Sequence, residues 1–340
     1  MFAALLEKLR RHEDLSQVEA AEAMGRIMDG EAQPAHIAGL LMALALKGER
    51  PEEMVGFARA MRARAVPIPA PVRSQLGEVF DTCGTGGDGA HTFNVSTAAA
   101  IVLAACGVRV AKHGNRAVSS RCGSADVFET LGVRLDAPPD AVAQTLLEAN
   151  LAFFFAPAWH PSMKHAGPTR RELGVRTAFN LLGPLTNPAG ATRQLVGVSR
   201  PEQTELLART LGLLGTTRAW VVHGADGLDE LSTTGFTKIS EFHEGTVRTF
   251  YLHPADVGLP VASKEALVGG TAEDNAALIE RLLAGERGAA RDIVVFNAGA
   301  GLLIAGVAPT IADGIRLAAA AIDDGRAARA LTQLRAVAGR

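Results

Sequence analysis

The chain has 340 residues, 48% hydrophobic and 21% charged, with a formal net charge of −2. That is ordinary globular composition for about two domains. The near-neutral charge excludes a broadly basic nucleic-acid-binding surface and confines any anion site to a local cluster. Cys83, Cys106 and Cys122 are odd in number, widely spaced and without a C-x-x-C, which excludes a disulfide framework and a thiolate zinc site and predicts a reducing, cytoplasmic compartment.

The N-terminal apolar run is interrupted at Glu7, and no stretch approaches the ~18 apolar residues of a membrane span. Residues 1–64 read as helices alone. Leu5, Leu6 and Leu9 share one face of the first. Ser16 and Glu19 make a capping box for the second, which carries Val18, Met24, Ile27 and Met28 until Gly30 stops it. Pro34 opens a third, lined by Ile37, Leu40, Leu41 and Leu44 and closed by Gly48. Pro51 opens a fourth with Met54, Val55, Phe57 and Met61, and Pro67, Pro69 and Pro71 predict an extended linker and a domain boundary.

Beyond the linker, short apolar runs alternate with Ala/Leu-rich segments. Strands are expected at Val79-Phe80, Val108 to Val110, Phe153 to Phe155, Leu195 to Val198, Trp220 to Val222 and Ile293 to Phe296. The alternation predicts an α/β domain with a mostly parallel central sheet. Ligands of such sheets bind at the carboxyl ends of the strands.

The loop after the first strand reads Gly84-Thr85-Gly86-Gly87-Asp88-Gly89, and Asn94-Val95-Ser96-Thr97 then starts a helix running to Cys106. Glycines let backbone amides wrap an oxyanion, and a helix start adds free donors and a positive dipole end. A plain glycine-rich turn with a Ser/Thr cap is the unremarkable alternative. Gly84, Gly86 and Gly89 also fit G-x-G-x-x-G, but the next strand ends in Lys112-His113-Gly114-Asn115-Arg116, where a dinucleotide site needs an acid. The P-loop lysine is absent, since Ala90 and His91 follow Gly89. Asp88 inside the cradle would repel a bare diphosphate, so the loop predicts a sugar pyrophosphate bound with a metal.

At the same sheet edge, Lys112 and Arg116 can balance phosphate charge, and Asn115 can bond a polar substrate. Ser119, Ser120, Gly123, Ser124 and Asp126 continue as a second loop of small residues. After the Trp220 strand, Asp229-Glu230 are adjacent hard oxygen ligands suited to Mg²⁺. One of Arg170, Arg171 and Arg176 can clamp a substrate carboxylate, though the same residues also suit a helix surface with ion pairs, and the sequence does not choose between them. His160, His165 and His223 lack metal-site spacing.

These segments, with Asn180 to Pro188, stand in the order of the anthranilate phosphoribosyltransferase family, which the chain resembles over nearly its whole length. The resemblance implies a small all-helical domain plus a larger α/β domain, like the pyrimidine nucleoside phosphorylases (class IV phosphoribosyltransferases). Residues 1–72 would form the helical domain, joined by a returning segment at about 165–185, with 73–164 and 186–340 binding phosphoribosyl pyrophosphate (PRPP). It further implies PRPP contacts from Gly84, Gly86, Gly87, Asp88, Thr92, Asn94, Ser96, Thr97, Lys112 and Ser124. Anthranilate contacts would come from Gly84, His113, Asn115, Arg170 and Gly183, with Arg170 on the carboxylate. Ser96, Asp229 and Glu230 would hold the metal, two Mg²⁺ ions bound with PRPP.

The implied enzyme transfers phosphoribosyl to the anthranilate amine in tryptophan biosynthesis, using neither a protein nucleophile nor an assigned general base. It is expected as a cytoplasmic homodimer joined through the helical domain, with no nucleic-acid or membrane partner. Gly167-Pro168-Thr169 departs from the more aliphatic family pattern before Arg170. A pyrimidine nucleoside phosphorylase would not need the Asp229-Glu230 pair, and a nucleic-acid-binding relative would show basic enrichment that this chain lacks.

Overall fold

The computed structural model describes residues 1–117 and 122–339. The N-terminal helices are α1 (Phe2–Arg10), α2 (Gln17–Met28), α3 (Pro34–Lys47) and α4 (Pro51–Arg62). The Ser16 hydroxyl accepts the Glu19 amide at 3.2 Å while Glu19 accepts the Ser16 amide at 2.8 Å, closing the expected box. Proline starts α3 and α4, where its missing N–H costs nothing. Gly48 ends α3 at φ 89°, a conformation that side chains disfavour. Leu9, Met24, Leu40 and Phe57 bury in one cluster with Phe179 and Leu182 of the short helix Ala178–Leu182. The cluster runs on into Val196 and Val221 of the sheet, so the helical layer lies against one sheet face. Burying each such side chain contributes about 1.5–3 kcal/mol.

The proline-rich linker is not wholly extended. Ala70–Arg73 forms a short helix, α5, with Pro71 in its first turn. The sheet then runs β1 (Phe80–Gly84), β2 (Val110–Gly114), β3 (Leu151–Phe155), β4 (Arg193–Gly197), β5 (Arg218–Gly224), β6 (Thr237–His243) and β7 (Thr246–Leu252). Its order is β3-β2-β1-β4-β5-β6-β7, with β1 to β5 parallel and the last two strands antiparallel. The chain builds outward from β1 on one side and then from β4 on the other. The switch point therefore lies between β1 and β4, where α/β sheets open a crevice.

Two expectations need correction. Ile293 to Phe296 is no strand but part of the helix Ala289–Ile304. Ile293 through Leu302 is buried on every side, so no polar face marks the helical period, and tertiary burial overrides β-branched preference. The β6–β7 hairpin was not anticipated. Its turn puts Glu244 and Gly245 at φ 49° and 76°, the positive pair of a tight hairpin. Among the described residues no helix is long and apolar enough to cross a membrane.

Candidate active site

Four of the five parallel strands end in glycine, at Gly84, Gly114, Gly197 and Gly224. Gly84 and Gly197 face each other in register on β1 and β4. A Cβ on Gly84 would overlap the Asp229 carboxylate, and one on Gly197 would overlap the Asp229 carbonyl. The missing side chains thus let the loop after β5 lie directly across the switch point. Asp226 shapes that loop, accepting the hydroxyls of Ser232 at 2.9 Å and Thr234 at 2.6 Å. Asn297, on the helix first read as a strand, bonds both backbone groups of Leu231 at 2.9–3.0 Å.

The expected cradle and acidic pair share this cleft and touch. The Gly86 amide donates to Asp229 Oδ2 at 2.8 Å, and the Ser96 amide to Glu230 Oε1 at 3.2 Å. The carboxylates thus take two of the cradle amides themselves. Lys112, 1% exposed, donates to the Thr82 carbonyl at 2.6 Å and Ser96 Oγ at 3.1 Å. Burial and then neighbouring Asp88 push Asp229 up to about 7. Burial and then Asp229 push Glu230 up to about 8. Burial draws Lys112 down, opposed by Asp81 and the acidic pair.

Adjacent carboxyls that resist ionising, Glu230 buried and Asp229 half-buried, fit a divalent cation, whose charge would relieve both. No three His, Cys, Asp or Glu side chains converge among the described residues. The chain offers two carboxylates and the Ser96 hydroxyl, so substrate oxygens and water would complete a Mg²⁺ shell.

The helix Val95–Ala105, α6, begins beneath the cradle. Asn94 precedes it without a side-chain cap bond. Its amide instead donates to the Cys122 carbonyl at 3.4 Å, and its oxygen accepts Asn275 at 2.9 Å. Thr97 Oγ1 is buried with no partner among the described residues, and Thr92 bridges Val268 in a short antiparallel contact. A Cβ on Gly114 would overlap Ser124 Oγ, which lies at the start of α7 (Ser124–Thr130). Arg116 does not join this group. It is committed to Asp126 at 2.9 Å and Glu129 at 2.8 Å, so only Lys112 of the expected cation pair lies in the cleft. Ser119 and Ser120 lie outside the described residues.

On the adjoining side, His113 Nδ1 faces the Gly183 carbonyl at 3.2 Å and therefore carries the proton. Its Nε2, the remaining acceptor, is buried without a partner among the described residues. Burial, aided by His160 with rings 5.2 Å apart, pushes His113 down to about 3. Burial pushes His160, bonded to the Thr186 carbonyl at 3.0 Å, down to about 4. Asn115 Oδ1 accepts the Arg116 amide at 2.8 Å. The Arg170 guanidinium lies 5.0 Å over Phe179 and makes no ion pair among the described residues. The Gly167-Pro168-Thr169 departure opens the helix Gly167–Leu173 that carries it, with proline again in a first turn.

The two buried histidines make a pH-dependent contribution. Their folded values lie below the unfolded ~6.5, so the stability they contribute is present above pH 6.5 and lost as pH falls toward 4 and 3. His160→Gln removes one titration. Its stability deficit relative to the parent should shrink by about 1.4 kcal/mol per pH unit between 6 and 4.5. Urea unfolding at several pH values checks this; parallel stability curves would contradict it.

Sequence reasoning missed three contributors. Gly197 stood in an apolar run with no local cue. Asp81, pushed up to about 6 by burial, accepts Asn187 at 2.8 Å and the His113 amide at 3.2 Å, bracing β1 against β2. Arg176 was left among three candidate arginines, yet it reaches the cradle, donating to the Gly86 carbonyl at 2.5 Å.

Comparison with known proteins agrees with this fold. Residues 3–65 match the glycosyl transferase family, helical bundle domain, and residues 76–328 the glycosyl transferase family, a/b domain. The chain is 56% identical to the anthranilate phosphoribosyltransferase of Moorella thermoacetica over 333 residues, 97% of this chain and 96% of that one. The crystal structure of the Thermus thermophilus anthranilate phosphoribosyltransferase superposes with a TM-score of 0.91 at 47% identity, covering 98% of this chain and 99% of that one. The Saccharomyces cerevisiae enzyme, solved in complex with PRPP and Mg, gives 0.87 at 26% identity over 99% and 97%.

Proposed function

The chain belongs to the anthranilate phosphoribosyltransferase family, and we infer that it performs that family's reaction with the groups gathered at the β1–β4 switch point. It transfers the 5-phosphoribosyl group of PRPP to the amine of anthranilate, giving N-(5-phosphoribosyl)anthranilate and pyrophosphate, a step of tryptophan biosynthesis. The observation that carries the site assignment is the convergence of glycine amides, Lys112, Asp229 and Glu230 in one cleft.

In this reading Gly84, Gly86, Gly87, Asp88 and Thr92 receive PRPP together with Asn94, Ser96, Thr97, Lys112 and Ser124. The amides and Lys112 take diphosphate oxygens, while Asp88 suits a ribose hydroxyl or the metal. Asp229, Glu230 and Ser96 hold Mg²⁺, two ions with PRPP bound. The metal supplies charge neutralisation of the departing pyrophosphate. Gly84, His113, Asn115, Arg170 and Gly183 receive anthranilate, with Arg170 on its carboxylate.

The amine nitrogen attacks the anomeric carbon as the carbon–oxygen bond to pyrophosphate breaks, with inversion. The bond's electron pair leaves with pyrophosphate. His113, pushed down to about 3, is too weak a base to take the amine proton near neutral pH. That proton passes to water or pyrophosphate. Rate enhancement then comes from positioning and preorganised donors. The same reading has the enzyme in the cytoplasm, paired through its helical domain.

The direct test follows loss of anthranilate in the presence of PRPP and Mg²⁺; no turnover across a Mg²⁺ series would refute the reaction. Arg170→Ala should raise the anthranilate KM about 30- to 100-fold, the loss of a charge-assisted pair, and leave the PRPP KM within about threefold. Equal rises in both would remove Arg170 from the carboxylate.

A further inference from the structure

The cradle needs something to hold its carbonyls as well as its amides. Gly86, Gly87 and Gly89 sit at φ 65°, 69° and 69°, a run of left-handed glycines that is costly to order. At the loop's start the Thr85 amide donates to the Gly197 carbonyl at 2.9 Å. The next two carbonyls are both held by one side chain from 90 residues away. Arg176 donates through Nη1 to Gly86 O at 2.5 Å and through Nη2 to Thr85 O at 3.4 Å. Among the described residues no other donor reaches either carbonyl, and Arg176 forms no ion pair. A Cβ on Gly87 would overlap Nη1, so the guanidinium end occupies the space that a side chain at this left-handed position would need.

A trans peptide is planar, with its N–H directed opposite its C=O. Two consecutive carbonyls turned toward one guanidinium therefore turn the next two amides away from it. The Gly86 amide already shows this direction, since it meets Asp229 in the cleft.

We propose that Arg176 is a positioning residue for the diphosphate site: by holding the Thr85 and Gly86 carbonyls it aims the Gly86 and Gly87 amides at the substrate. This rests on the function proposed above and adds a residue to its machinery. Arg176 lies between the short helices carrying Arg170 and Phe179, so the segment assigned to the acceptor also sets the shape of the donor site. Arginine suits the task because its planar fork spans two acceptors, which a lysine ammonium on a flexible stem does not reproduce.

The test compares Arg176→Ala, Arg176→Lys and, as a control removing the same charge from a neighbouring exposed position, Arg171→Ala. KM for each substrate, kcat, the Kd for PRPP with Mg²⁺ by calorimetry, and melting temperature are read for each. Arg176→Ala should raise the PRPP KM and Kd about thirtyfold while the anthranilate KM at saturating PRPP moves less than threefold. Arg176→Lys should stay at least fivefold above the parent, and Arg171→Ala should match it. A PRPP effect under fivefold for Arg176→Ala, or an anthranilate effect larger than the PRPP effect, overturns the proposal. Should Arg176→Ala fail to fold, Arg176→Lys decides at the same fivefold threshold. A parent protein that binds PRPP but turns nothing over refutes the reaction and leaves the positioning role to the calorimetry.

Discussion

Asp229→Asn and Glu230→Gln are each expected to lower kcat/KM by about 10²- to 10³-fold and yet raise the melting temperature of the metal-free protein at pH 8.5. Glu230 is buried, Asp229 is half-buried, and the two sit side by side, so ionising them costs free energy that a bound cation returns. Their folded values, about 7 and about 8, lie above ordinary carboxyl values near 4. For groups raised in this way, stability is fully present below the unfolded value and lost as pH rises through the folded one. The amide variants do not ionise and keep it. They also retain an oxygen to accept the Gly86 or Ser96 amide.

The difference in melting temperature should therefore be small at pH 4, open between pH 4 and 8, and amount to several degrees at pH 8.5. Adding PRPP with Mg²⁺ should reverse the ranking, because ligand linkage then favours the parent. Thermal melts over this pH range, with and without PRPP and Mg²⁺, provide the check. Variants that melt below the parent in metal-free buffer at pH 8.5 would show that the pair does not repel, and the metal assignment would lose its electrostatic basis.

What could be read from the chain divides along local and long-range lines. The capping box at Ser16, the proline starts of α3 and α4, and the glycines after β1 are decided by residues within a few positions of each other, and all appear where expected. The cradle and the acidic pair were legible for the same reason. Each is a short motif at a strand's carboxyl end, and parallel topology brings such ends to one edge. Gly197 and Arg176 were not legible, since their meaning comes from Asp229 and Gly86, which no local pattern points to. Arg116 misled in the opposite direction: Asp126 and Glu129, 10 and 13 residues on, claim a charge that looked available. Ile293 to Phe296 failed because a helix buried all round and a buried strand carry the same apolar signature. β7 was missed because, as an edge strand with no fully buried residue, it lacks clean alternation.

Lys112→Met is expected to cost about 10³-fold in kcat/KM and about 3–5 kcal/mol of stability at pH 8. The ammonium is buried among Asp81, Glu230 and Asp229 and helps to balance them inside the cleft, with Arg176 also acting on Asp229. Two of its three donors go to the Thr82 carbonyl and Ser96 Oγ, which leaves the third for a diphosphate oxygen. Methionine keeps the length and volume and removes only the charge and those donors. The carboxyls left behind would then be harder still to ionise, so the stability loss should shrink at pH 6, where they take up protons, and grow toward pH 9. Combining Lys112→Met with Glu230→Gln removes one of the uncompensated charges. The double variant should be more stable at pH 8 than Lys112→Met alone, a coupling that separate sites would not show. Chemical denaturation of the three variants at pH 6 and pH 8 measures it. Simple additivity of the two changes, or an unaltered unfolding midpoint for Lys112→Met at pH 8, would mean that the lysine does not balance the acidic cleft. The anion-site reading built on it would then fail.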